Sequence, residues 1–208
     1  MVPDFRNLLG QAFPDLPSLS FALPSLGDLW SSTLQYSVVA YLVLAVVDFL
    51  WARRFVSRWF QLHTFSNAVI AIMSAKDCWF VLSDPLRALA TDNAQTSQLP
   101  VAFVFALHVY HMTAPGFNLY AVDYVHHILM VLVGNPLLML SNYGPLMNYN
   151  FMFTCGLPGG LDYAMLVAVK EGLMKPLSEK HYNNLLNVWV RAPFLCFCIT
   201  FSWVQFHM

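Results

Sequence analysis

The stretch HVYHMTAPGFNLYAVDYVHH, His108 to His127, decides how this chain folds. Two apolar runs meet at TAPGFN, Thr113 to Asn118, where proline and glycine end a helix and leave too few residues to travel far. The runs must therefore form a tight antiparallel hairpin. Neither run suits a water-exposed helix. No Asp, Glu, Lys or Arg occurs from Asn93 through Val122, none from Tyr124 through Leu161, and none after Arg191. Crossing the hydrocarbon core of a bilayer takes ~20 apolar residues, so each run holds at least one transmembrane helix.

The rest of the chain agrees. Of its 208 residues, 58% are hydrophobic and only 10% charged, with a mean hydropathy of +0.57; that is too little charge to cover a soluble surface. Glycine, proline and asparagine punctuation marks six spans, about 32–52, 59–82, 99–115, 118–141, 144–171 and 183–206. The reading is an all-α polytopic membrane bundle of six helices around a central polar or lipid chamber. GLPGG, Gly156 to Gly160, is expected to break or kink the fifth span. Residues 1–30, with four prolines and LPSL repeated at Leu16 and Leu23, form an arm on the membrane interface, with Phe13, Phe21 and Trp30 toward lipid. Residues 31–208 are the transmembrane domain.

A net charge of −1 with scattered basic residues excludes a nucleic-acid partner. The four cysteines form no Cys-x-x-Cys pair and read as buried thiols. Arg53, Arg54, Arg58, Lys170, Lys175 and Lys180 flank the first and fifth connections, which share one side in a six-span chain, so both termini are expected on the side away from the cytoplasm or matrix.

At 100° per residue the polar side chains gather in stripes: Ser37, Tyr41 and Asp48 on the first span, His63, Ser66, Asn67, Ser74 and Asp77 on the second. The last carries Asn184, Asn187, Arg191, Cys198, Ser202 and Gln205. Such stripes must face one another, because lipid offers polar groups no partners. His63, Asn67, Asp162 and Arg191 are candidate substrate-binding residues. Asp162 follows the glycine break and is placed to cap the helix beyond it, and Arg191 is expected to turn inward and meet Asp162, Asp77 or Asp48.

The hairpin carries the chemistry. Asp123, His126 and His127 occupy one face of the fourth span, and His108 and His111 one face of the third. At 1.5 Å per residue, His108 lies ~12 Å and His126 ~14 Å from the apex, so four histidines and an acid share a depth. A carboxylate within the membrane needs a partner. Asp123 accepting from one imidazole would set its tautomer and leave the other nitrogen basic, as a general base requires. These five residues are the candidate catalytic set, with His63, His181 and His207 expected to lie apart from it. Histidines that only join helices, and a zinc or iron site, are the competing readings; histidine-box metal enzymes of membranes need a larger set than the seven histidines present, and no metal is assigned.

RWFQLHTFSNAVIAIMSAKD, then HVYHM, then DYVHH across a short hairpin, resembles the TLC domain, the membrane family of ceramide synthases and TRAM-type translocon proteins. The resemblance covers residues 35–206. It implies six helices around a chamber admitting a lipid chain, with His126 and His127 as the family's histidine pair and Asp123 as the acid before them. It also implies acyl-CoA as cosubstrate, no further cofactor, and residence in the endoplasmic reticulum or another organelle membrane. The synthases follow that pair with an acidic block of HDxxD type, whereas Ile128 to Tyr143 contains no acid, so a lipid other than ceramide is implied. The expected function is binding or modification of a membrane lipid by acyl-transfer-type chemistry with a buried histidine base. The alternative is a catalytically silent structural or lipid-organising subunit among other membrane proteins, which the short loops favour.

Overall fold

The computed structural model describes residues 26–92, 95–140 and 143–207, and all regular structure among them is helical. Most of the amino-terminal arm, including Phe13 and Phe21, lies outside the described residues, as does the side chain of Trp30. Helix α1 spans Leu26–Leu50 and is followed by a 3-10 turn, Ala52–Arg54. Helix α2 spans Arg58–Ser83, the short α3 Pro85–Leu89, and α4 Leu99–Thr113. Three compound rods complete the bundle, each an α-helix interrupted by one π-turn. Rod α5 joins Ala121–Leu129 to Asn135–Leu140 through Met130–Gly134. Rod α6 joins Pro145–Phe151 to Leu157–Lys170 through Met152–Gly156. Rod α7 joins Pro176–Leu186 to Ala192–His207 through Asn187–Arg191.

Five of these are long and apolar enough to cross a bilayer: Ser32–Arg54, Arg58–Ser83, Ala121–Leu138, Pro145–Lys170 and Pro176–Phe206. The sixth, α4, has 15 residues, or ~22 Å. It is also the most enclosed, with Val101, Ala102, Ala106, Leu107 and Tyr110 all buried, so protein rather than lipid surrounds it. The outer helices present the opposite pattern: Val38, Val39, Leu42, Val46 and Phe49 on α1 and Ile199, Trp203 and Phe206 on α7 are exposed. An apolar outside on helices of this length makes the chain an integral membrane protein with an all-α polytopic fold. Two limits differ from the sequence reading: α1 begins at Leu26, inside the expected arm, and α7 begins at Pro176 rather than near residue 183.

The stretch expected to break or kink the fifth span follows a π-turn, and the helix continues through it. Pro158, Pro136 and Pro193 each follow a π-turn by two residues. A proline has no N–H for the carbonyl four residues back, and its ring collides with that carbonyl. The wider π-turn places that carbonyl inside the loosened turn, so each rod continues past its proline. The glycines serve packing. A Cβ at Gly156 would lie 3.3 Å from the Cα and backbone N of Ala71, so only glycine lets α6 approach α2 this closely. Small residues do the same between α1 and α4, through Ala40, Ala102 and Ala106, as expected where lipid gives helices no hydrophobic reason to associate.

Polar ties fix both ends of the bundle. On the basic side, fully buried Asp48 receives Arg58 Nε at 2.8 Å, Arg58 Nη2 at 2.5 Å and the Tyr110 hydroxyl at 2.8 Å. Arg58 also donates to the Pro115 carbonyl at 2.9 Å, and its guanidinium covers the Phe117 ring. Gly116 turns here at φ +86°, where a Cβ would stand 2.8 Å from Arg58 Nη1, so TAPGFN needs its glycine twice over. The Ser57 hydroxyl donates to Glu171 Oε1 at 2.5 Å. The first, third and fifth connections are thus tied together on one side. On the other, Asn148 donates to Asp77 Oδ2 at 2.6 Å and to the Ser97 carbonyl at 2.9 Å, and Gln205 donates to the Leu89 carbonyl at 2.9 Å.

Candidate functional site

The histidines meet where α2, α4, α5 and α6 converge. The hairpin brings His108 Nε2 within 3.4 Å of His126 Nε2, with His127 beside both rings at 5.1 Å and 5.3 Å between centroids. His111 faces His127 edge-on at 5.6 Å. The shared depth read from TAPGFN therefore becomes contact.

His63 belongs to this group, contrary to its expected distance from it. It stacks on His111 at 4.7 Å and on Tyr163 of α6 at 4.1 Å. Trp59, one turn earlier on α2, stacks on His111 at 3.9 Å and touches His63 and His127. Trp59, His111, His63 and Tyr163 form one row of rings linking the three helices. Sequence reasoning singled out neither Trp59 nor Tyr163, although Trp59 lies at i, i+4 from His63 on the α2 stripe. His181 lies apart on exposed α7, against Tyr182, and the side chain of His207 lies outside the described residues.

Asp123 takes a different part from the one expected. Its carboxylate accepts the backbone N–H of Tyr120 at 2.9 Å, as half of a capping box that opens α5. The backbone carbonyl of Asp123 meets His127, at 2.6 Å from Nδ1. His108 does the same one helix away, with Nδ1 2.6 Å from the Val104 carbonyl. A carbonyl oxygen only accepts, so each neutral ring carries its proton on Nδ1 and leaves a lone pair on Nε2. In that state His126 Nε2–H donates to His108 Nε2. His127 is buried and His126 is exposed. Both nitrogens of His111, 1% exposed, lack a protein partner. Among the described residues no three His, Cys, Asp or Glu side chains converge as metal ligands.

The substrate-binding candidates line the continuation of this site between α2, α6 and α7. Asn67 and Ser66 are buried on α2. Asp162 lies within Leu157–Lys170 and caps nothing; Gly156 occupies the cap position, and Asp162 Oδ1 is buried without a donor. Arg191 turns toward Gly159, where a Cβ would lie 3.9 Å from its Nη2 and 3.0 Å from Asn67 Nδ2. Nη1 donates to Asn187 Oδ1, and among the described residues no carboxylate lies within ion-pair distance. Of the acids expected to meet it, Asp48 is engaged by Arg58 and Asp77 by Asn148, while Asp162 forms no ion pair with it and its Oδ1 has no donor. Comparison with known proteins finds no family model, no curated protein and no solved structure that matches this chain.

Proposed function

We propose that this chain is a TLC-like integral membrane protein that binds a lipid and acylates it, with His127 as general base and His108 and His126 beside it. The observation that carries the reading is the His127 imidazole, whose Nδ1 proton is held by a backbone carbonyl, leaving Nε2 basic, while His108, held the same way, receives His126. Such a nitrogen takes the proton of a lipid hydroxyl or amine as that group attacks the carbonyl of an acyl thioester of acyl-CoA type. The new ester or amide bond forms, the thioester C–S bond breaks, and the imidazolium returns the proton to the leaving thiolate.

The engagement of the Asp123 carboxylate in a helix cap favours a second reading, a silent subunit that organises lipid or partner proteins, since no acid then supports an imidazolium. The double substitution His126→Ala with His127→Ala separates the two. For the enzyme, the folded protein persists in detergent with an unchanged melting temperature, while its product disappears from the lipid profile of cells carrying it, a loss of about 10²–10⁴-fold. For the subunit, the lipid profile is unchanged and thermal stability or partner association falls.

A further inference from the structure

Arg191 is the central residue of the span Pro176–Phe206, with fifteen residues on either side. Its side chain turns toward Gly159 of α6 rather than along the rod toward either end. A cation at this depth is retained against a considerable cost and ordinarily faces a partner. Its only hydrogen bond among the described residues is the one to Asn187 within its own π-turn, and its Nε is buried with no acceptor.

The groups around it are in the same condition. Ser66 Oγ and His63 Nε2 on α2 are buried without partners, and so is Asp162 Oδ1 on α6. Ser66 is fully buried and Asn67 3% exposed. Asn67 and Arg191 converge on Gly159, where a Cβ would stand 3.0 Å from Asn67 Nδ2 and 3.9 Å from Arg191 Nη2. These groups adjoin the histidines, because Tyr163, next to Asp162, stacks on His63 and His63 on His111. Unpartnered donors and acceptors on three helices, enclosed in a membrane, destabilise a fold unless a ligand completes them.

The geometry points to a headgroup site in which the Arg191 guanidinium and Asn67 amide hold an anionic oxygen of a lipid, while Asp162 and His63 accept from an ammonium or hydroxyl on the same headgroup. This rests on the reading of the chain as a lipid-handling protein and adds the class of lipid: one whose headgroup presents an oxyanion and a hydrogen-bond donor side by side. Arg191 here is a binding residue.

The test is thermal unfolding of the purified full chain in detergent, with four probes. Lysophosphatidylethanolamine carries both features, oleate only the anion, octadecylamine only the donor, and inorganic phosphate has no chain. Lysophosphatidylethanolamine is expected to raise the melting temperature more than either single-feature lipid at equal concentration, and phosphate to leave it unchanged. Arg191→Met is expected to melt no lower than the original protein without lipid, since it removes a buried cation that lacks an anion. It should need on the order of 10- to 100-fold more lysophosphatidylethanolamine for the same shift. Asp162→Asn should abolish the preference over oleate. Arg191→Met that melts lower without lipid yet responds to it unchanged would overturn the site, and so would phosphate alone reproducing the shift. The histidine double variant keeps the two proposals apart. Lost turnover in that variant with an unaltered lipid response in Arg191→Met defeats the headgroup site alone; normal turnover with a lost response defeats acyl transfer alone.

Discussion

Two carboxylates within this bundle show how differently a membrane-embedded acid is satisfied. Asp48 is fully buried, yet receives a guanidinium and a phenol hydroxyl and so has its charge and its lone pairs met. Asp123 meets the backbone N–H of Tyr120 at the start of α5, one of the donors that the first turn of any helix leaves without an internal partner. Removing that carboxylate therefore acts on the helix. Asp123→Ala should lower stability by about 0.5–2 kcal/mol, the usual cost of losing a cap. The His127 tautomer should persist, because it is held by the main-chain carbonyl of the same residue. If the chain acylates lipid as proposed, turnover by the purified variant is expected within a few-fold of the original. A fall of about 10²–10⁴-fold, typical of losing a catalytic acid or base, would instead make the carboxylate part of the machinery.

Among the elements, α6 depends most on residues with almost no side chain. Its π-turn accommodates Pro158, and Gly156 presses against the backbone of Ala71 in α2. Gly156→Ala puts a methyl group 3.3 Å from the backbone of Ala71 and should cost about 1–3 kcal/mol, the range for overfilling a packed interface. Gly160 is the internal control. A Cβ there would meet Asn67 Cβ at 3.5 Å, an ordinary contact, and alanine favours a helix over glycine by about 1 kcal/mol. Gly160→Ala should therefore be neutral or slightly stabilising. Melting temperatures in detergent of the two variants would check the contrast; equal destabilisation would show that the α2–α6 approach is not set at Gly156.

For the whole molecule, the ties from Asp48 to Arg58, Arg58 to Pro115 and Ser57 to Glu171 gather three connections on the side that carries Arg53, Arg54, Lys170 and Lys175. Basic residues near span ends stay on the cytoplasmic or matrix side, so that face should point there and the termini away from it. Ser83, the exposed last residue of α2, and Leu173, exposed between α6 and α7, lie on opposite sides. In sealed vesicles of known orientation, an impermeant maleimide should label Leu173→Cys from the cytoplasmic or matrix side and Ser83→Cys from the other, with the unsubstituted chain as background. The reverse pattern would invert the molecule.

The membrane class, the all-α build and the depth match of His108 with His126 were legible in the sequence, because each depends on what one helix or one tight turn must do: cover ~30 Å of hydrocarbon, or reverse within a few residues. The polar stripes were legible for the same reason, since periodicity belongs to a single helix. Which members of a stripe meet was decided only by tertiary structure. His63 joined the cluster because α2 lies against α4 and α6, and Trp59 and Tyr163 joined with it. GLPGG signals a break or kink, and whether the helix stops there or widens into a π-turn and continues was decided by the packed structure, because proline alone does not say whether the backbone stops or widens by one residue. Arg191 faced inward as its stripe required, but without an acid: Asp48 and Asp77 had nearer partners on other helices, and the packing of α6 left Asp162 beyond ion-pair distance. Pairing is a competition among groups distant in the chain, and only the packed bundle ranks those distances.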